Sequence, residues 1–207
     1  MDEIARLPIT DQADLFESAG RQRGLTSAIM EKDFWVGWTL KRVFTLPDPP
    51  AGLLFKGGTS LSKVFGVIER FSEDVDLSFD RAGLGFGGEN DPLNAPTGKR
   101  RKLGLEALTK TCNRVVREAL LPQLTTAFCD ALGESPSAAW SLKLADDDPD
   151  GQTLLFHYPI GNRPRRTDEP AYIQPVVRLE IGARSEHWPA VEAGGHALRG
   201  NGVSQRI

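Results

Sequence analysis

The segment 53–79 constrains the fold of this 207-residue chain more than any other. Its apolar start, Leu53-Leu54-Phe55, leads into the glycine pair Gly57-Gly58, and residues 60–68 then place apolar side chains at helical spacing. From residue 74 to residue 79, polar and apolar residues alternate, as is typical of a strand. The segment therefore predicts a strand, a glycine turn, a helix and a second strand.

Two carboxylates lie on the second of these strands. Asp74 and Asp76 are two residues apart, so their side chains share one face while Val75 and Leu77 point to the other. Such a pair can bind one divalent cation or two, as in sites that hold the attacking and leaving oxygens of an in-line displacement. An Asp-x-Asp strand is also common as a solvated face, so the metal interpretation depends on the order of the surrounding elements.

The glycine turn predicts a phosphate site beside these carboxylates. Gly57 and Gly58 let the backbone approach a ligand closely. Thr59 or Ser60 begins the predicted helix, whose free N–H groups attract phosphate. Lys63 adds a positive charge one turn later. Magnesium prefers a few carboxylates together with substrate phosphates, which is the combination this segment offers.

Five blocks of sequence follow one another in a recognisable order: residues 31–36, 55–63, 70–77, 155–159 and 177–185. In this combination the chain resembles the AbiEii toxin family, within the nucleotidyltransferase superfamily typified by DNA polymerase beta. The resemblance covers about residues 25–190. It implies an α/β (α+β) fold: a nucleotidyltransferase-like palm with a mixed β-sheet and packed helices.

The resemblance also implies a third catalytic carboxylate on a neighbouring strand, and Glu180 is the candidate. The apolar residues around it predict a buried strand, in which a carboxylate is costly unless it is paired, coordinated or solvated at an edge. Glu180 would then join Asp74 and Asp76 as a metal ligand or act as the base. The alternative is that Arg178 or Arg184 simply pairs with it.

The implied reaction moves a nucleoside monophosphate from an NTP to an acceptor hydroxyl. Magnesium or manganese would be the cofactor, held by the three carboxylates. The residues expected to hold the triphosphate are those of the glycine turn: Gly57, Gly58, Thr59, Ser60 and Lys63. Family members act as toxins in toxin–antitoxin pairs and in phage defence, and some modify tRNA. RNA and an antitoxin protein are therefore the expected partners.

The composition is consistent with the fold and function that the resemblance implies. An apolar share of 40%, the lack of a long apolar run or signal peptide, and two isolated cysteines indicate a cytoplasmic protein without a membrane span. The net charge of −3 does not indicate nucleic-acid binding. Two basic blocks, at residues 99–102 and 163–166, could hold an RNA backbone, although such charge runs are usually solvated loops.

The first of three predicted parts is an N-terminal helical region, residues 1–50. Thr10 or Asp11 is expected to cap one helix and Thr26 or Ser27 the next. The aromatic residues of the second helix, Phe34, Trp35 and Trp38, are expected to be core, although contact with substrate is an alternative for Phe34 and Trp35.

The second part is the palm, residues 51–190. It contains a helical insertion at about 99–132 that Pro122 breaks or restarts. The later strands of the palm are predicted at 140–144, 153–158 and 176–181, with a hairpin loop at 146–151.

Residues 191–207 are predicted to be a disordered tail, because they are rich in glycine and poor in apolar area. They do not resemble the helical region that usually follows in the family, so we expect a C-terminally truncated chain. Three interpretations of function stay open at this point. They are an active nucleotidyltransferase, a catalytically impaired module that binds nucleotide or antitoxin, and a kinase-like phosphotransferase.

Overall fold

The computed structural model describes residues 1–56, 74–133, 140–160, 173–183 and 191–192. Within these residues, helices pack against a mixed sheet of six strands. The helices are α1 (Asp2–Ala5), α2 (Ile9–Arg23), α3 (Ser27–Phe44), α4 (Gly98–Val115) and α5 (Leu121–Leu132). The strands are β1 (Leu53–Lys56), β2 (Asp74–Phe79), β3 (Ser141–Leu144), β4 (Thr153–His157), β5 (Val176–Gly182) and β6 (Val191–Glu192). The predicted α/β architecture is confirmed.

The start of helix α3 follows its sequence signal, whereas the start of α2 does not. The Thr26 hydroxyl accepts a hydrogen bond from the Ile29 backbone N–H at 3.3 Å, so the predicted cap is present. Helix α2 instead begins at Ile9, directly after Pro8, without a side-chain cap. The prediction of a Thr10 or Asp11 cap was therefore wrong, because proline in the extended conformation already sets the direction in which the helix begins.

Pro122 does not interrupt the helical insertion. A π-helical turn over Val116–Leu120 connects α4 to α5, and Pro122 stands in the first turn of α5. The wider turn accommodates a residue that has no N–H to donate and whose ring would clash with a preceding carbonyl. Of the two predicted outcomes, Pro122 thus restarts the α-helix and does not break the helical path.

The sheet has the strand order β3-β4-β5-β2-β1-β6, and its central pair, β2 and β5, is parallel. The other pairs are antiparallel, including the predicted hairpin of β3 and β4. Strand β6 corrects the prediction of a tail that is disordered from residue 191, because Val191 and Glu192 pair with β1. Backbone groups on the edge of β1 can pair with almost any extended segment, whatever its apolar content. Residues 193–207 lie outside the described residues.

One face of the sheet carries the core. Phe156 on β4 contacts five other aromatic rings, with centroid distances from 4.7 to 6.4 Å: Trp35, Trp38, Phe128, Trp140 and Tyr158. Trp35 and Trp38 are completely buried, as expected of core residues, whereas Phe34 is half-buried and packs against the same core. The opposite face of the sheet carries the polar residues of β2 and β5.

Helices α1, α3, α4 and α5 contribute residues to this core, and α2 packs against α3. None of the helices in the described part of the chain is both long and apolar enough to cross a membrane.

Candidate active site

The polar face brings the predicted carboxylates onto two neighbouring strands. Asp76 on β2 is the Cα partner of Glu180 on β5, and Asp74 is the partner of Arg178. Because both strands alternate and run parallel in this register, all four side chains belong to one face. The apolar residues that alternate with them lie on the other face and are buried: Val75, Leu77 and Phe79 on β2, and Leu179 on β5.

The three carboxylates differ in exposure. Asp76 is half-buried, Asp74 is exposed, and the Glu180 side chain retains 48% of its accessible surface. The predicted strand is present, but only its apolar residues at alternate positions are fully buried. The apolar residues around it face the core only at alternate positions, so Glu180 itself reaches the open face, where water reduces the desolvation cost of its charge.

The surroundings of Asp76 disfavour the charged form of its carboxylate. Burial raises its pKa above the usual value, and the negative charges of Glu180 and Asp74 raise it further. The Asp76 carboxylate is therefore repelled by both Glu180 and Asp74. A cation on this face would relieve that repulsion, and hard carboxylate oxygens are the ligands that magnesium and manganese prefer.

Glu180 has a second neighbour, which is Arg178. The Arg178 Nε donates to Glu180 Oε1 at 3.0 Å, so the pairing that was the alternative to a catalytic role is present. The same guanidinium reaches Asp147 in the β3–β4 loop, with Nη1 at 3.3 and 3.2 Å from the two carboxylate oxygens. Although burial alone would lower the pKa of Arg178, the hydrogen bonds to Glu180 and Asp147 raise it. Arg184 lies outside the described residues.

The loop that carries Asp147 is held in shape by its neighbour Asp148. The Asp148 carboxylate accepts hydrogen bonds from the backbone N–H groups of Asp150 and Gln152, at 2.9 and 2.7 Å, and from the Thr153 hydroxyl at 2.8 Å. Partial burial opposes ionisation, but these bonds outweigh it and lower the pKa of Asp148. Sequence reasoning missed Asp147, because an acidic run in a loop carries no signal of what it will contact.

The donor chemistry of the polar face suits a divalent cation, but the side chains do not stand as a closed ligand set. Among the described residues, no group of three or more His, Cys, Asp or Glu side chains is arranged to hold a metal ion. One reason is that Arg178 already contacts one carboxylate oxygen of Glu180. The roles of Asp74, Asp76 and Glu180 as ligands stay predictions.

The predicted triphosphate residues, Gly57, Gly58, Thr59, Ser60 and Lys63, lie outside the described residues. Their neighbour Lys56 is the last residue of β1 and the Cα partner of Asp76. Strand β1 therefore ends beside Asp76, and the glycine pair follows it in the sequence.

Strands β3 and β4 also carry titratable side chains. His157 lies on β4 and Lys143 on β3, and burial together with the nearby Lys143 charge lowers the pKa of His157.

The basic block at residues 99–102 is exposed in the first turns of α4, whereas the block at 163–166 lies outside the described residues. Cys112 on α4 and Cys129 on α5 do not form a disulfide with each other.

Comparison with known proteins identifies the family. The model described as "Nucleotidyl transferase AbiEii toxin, Type IV TA system" matches residues 38–194, which include the glycine turn and all three carboxylates. Neither the curated proteins nor the solved structures contain a significant match. Family membership suggests an enzyme, a toxin and an antitoxin partner. The chain belongs to the AbiEii family of nucleotidyl transferase toxins of type IV toxin–antitoxin systems.

Proposed function

We propose that this chain is a metal-dependent nucleotidyltransferase that moves a nucleoside monophosphate from an NTP to a hydroxyl of an RNA, with tRNA as the preferred class. The observation that carries the proposal is the pairing of Asp76 with Glu180 across the parallel strands, with Asp74 on the same face. The half-buried Asp76 is destabilised in its charged form by burial and by the charges of Glu180 and Asp74, and a bound cation would offset that cost.

The three carboxylates would have different roles in the reaction. Asp74 and Asp76 would hold magnesium or manganese, and Glu180 would complete the ligand set or accept the proton of the attacking hydroxyl. A bound divalent cation supplies charge neutralisation at the phosphates. The acceptor oxygen bonds to the α-phosphorus, the bond from that phosphorus to the bridging oxygen breaks, and pyrophosphate leaves.

The glycine turn is the proposed triphosphate site. It follows Lys56, which pairs with Asp76, so the phosphates would lie next to the carboxylates. Gly57 and Gly58 allow close approach of the backbone, while Thr59, Ser60 and Lys63 would bind phosphate oxygens.

The exposed start of α4 supports RNA as the acceptor. Residues 99–102 are four consecutive cations, and the first turn of the helix contains no acidic residue. Positive charge at a helix N-terminus is unfavourable, so a fold selected for stability alone would not place it there. A phosphate backbone would compensate for it.

An assay with labelled nucleotides tests the proposal. The chain is incubated with RNA, Mg²⁺ and NTPs labelled at either the α- or the γ-phosphate. Nucleotidyl transfer places only the α label in RNA, and the Asp76→Asn variant should place none. Transfer of the γ label would instead establish the kinase-like phosphotransferase. If neither label enters RNA although NTP still binds, the result would support a binding module.

A non-catalytic module is the second candidate, because the contact between Arg178 and Glu180 withdraws one carboxylate oxygen from a ligand set. Such a module would bind nucleotide or the antitoxin protein without turnover. Calorimetry measures NTP binding in the presence and absence of the antitoxin, and the labelled-nucleotide assay then distinguishes this candidate from the enzyme by the lack of turnover.

A further inference from the structure

Arg178 is shared between two carboxylates of different elements. Its Nε contacts Glu180 on its own strand, and its Nη1 contacts Asp147 in the β3–β4 loop. The Arg178 side chain is 28% exposed, whereas Asp147 is 69% exposed and Glu180 48% exposed. One guanidinium charge is therefore divided between the candidate site and a loop outside it.

We propose that Asp147 and Arg178 are positioning residues that together set the divalent-cation affinity of the Asp74, Asp76 and Glu180 face. The inference rests on the proposed function, since it assumes that this face binds a cation. Asp147 draws the guanidinium toward the loop and so limits how strongly Arg178 competes with the cation for Glu180.

The two residues should act in opposite directions. Without the Arg178 charge, Glu180 is not neutralised by the protein, so a cation binds more tightly. Without the Asp147 charge, the whole guanidinium is available to Glu180, so a cation binds more weakly. A merely structural ion pair predicts a different result, because loss of either partner would disturb the site in the same direction.

The expected size follows from the exposure of these groups. Charges that are partly solvated at a protein surface interact weakly, so removal of one of them changes affinity by a factor of roughly five. Arg178→Gln should therefore tighten cation binding about fivefold. Asp147→Asn should weaken it about twofold, because it changes only how one charge is shared.

Calorimetric titration of the whole chain with Mn²⁺ alone tests the inference. Asp146→Asn is the matched control, since it removes the same charge from the same loop at a residue that is exposed. In the Arg178→Gln background, Asp147→Asn should change affinity no more than this control does, because Asp147 acts only through Arg178. Circular dichroism verifies that each variant is folded, and Arg178→Met, which also removes the charge, replaces Arg178→Gln if that variant fails to fold.

The outcomes separate the two proposals. Opposite shifts for Arg178→Gln and Asp147→Asn support the inference. Three results would overturn it while leaving the carboxylate site intact. The two variants could shift Mn²⁺ affinity in the same direction, or Asp147→Asn could change it no more than Asp146→Asn does. The effect of Asp147→Asn could also be the same in the Arg178→Gln background as in the wild type. No Mn²⁺ binding by the wild-type chain would overturn the proposed metal site itself.

Discussion

Asp76 and Glu180 are Cα partners across the only parallel strand pair of the described sheet, and burial together with the charge of Glu180 raises the pKa of Asp76. This relationship joins two carboxylates that are remote in sequence. It also means that their effects on stability and on activity have opposite signs, because the repulsion that destabilises the fold is what attracts a cation.

Replacing Asp76 should therefore reduce activity and increase stability. Asp76→Asn is expected to lower nucleotidyl transfer about 100-fold or more, since a metal site contributes several kcal/mol to such reactions. The same variant should be more stable than the wild type in urea without divalent cations. Because the folded-state pKa of Asp76 is raised, its ionisation destabilises the fold, and this penalty appears as the pH rises above the unfolded value of 3.8.

The stability difference should thus be absent below pH 3.8 and grow until the pH exceeds the folded-state pKa of Asp76. Asp14→Asn, at an exposed position of α2, is the control that removes a carboxylate outside the polar face of the sheet. A stability difference that shrinks as the pH rises would refute the assigned repulsion.

Asp148 should behave in the opposite way. Asp148→Ala removes an acceptor from two backbone N–H groups and the buried Thr153 hydroxyl, so we expect a loss of about 1–2 kcal/mol at pH 7. Because the pKa of Asp148 is lowered, its contribution is fully present above the unfolded value of 3.8 and disappears as the pH falls through the folded value. Urea unfolding at several pH values measures this, with Asp146→Ala as the control from the same loop.

Phe156 is expected to be the most sensitive position of the aromatic core. Phe156→Ala should cost about 3–5 kcal/mol, because it leaves a cavity among five rings. Leu155→Ala, at the adjacent position on the open face, should cost clearly less. Thermal unfolding compares the two, and equal losses would mean that the buried face has been misassigned.

Arg100 offers a test of the basic block that separates RNA binding from folding. Thr97 caps α4 by accepting a hydrogen bond from the Arg100 backbone N–H at 3.3 Å. Glutamate at position 100 would complete a capping box and match the helix dipole, so Arg100→Glu should stabilise the chain by about 0.5–1 kcal/mol. The same change should weaken RNA binding and reduce its dependence on salt.

A filter-binding titration at several salt concentrations measures the second effect, and Arg114→Glu on the same helix is the control for charge alone. Unchanged RNA affinity in Arg100→Glu would remove the basic block from the proposed acceptor site.

The sequence alone determined the local parts of this protein. The alternation around Asp74 and Asp76 placed both carboxylates on one strand face, and the pattern around Glu180 predicted strand β5. Thr26 marked the start of α3, and the order of the motifs indicated the family. These features depend on residues close together in the chain, whose periodicity and capping act over a few positions.

Only the tertiary structure decided how the parts meet. The register of β2 with β5 makes Asp76 the neighbour of Glu180, and the open face of the sheet leaves Glu180 exposed. Arg178 on β5 reaches Asp147 in the β3–β4 loop. Strand pairing and ion pairs of this kind join residues distant in sequence, and their geometry depends on the whole sheet. Local periodicity fixes which face a side chain occupies, but the packed sheet fixes which charges it faces.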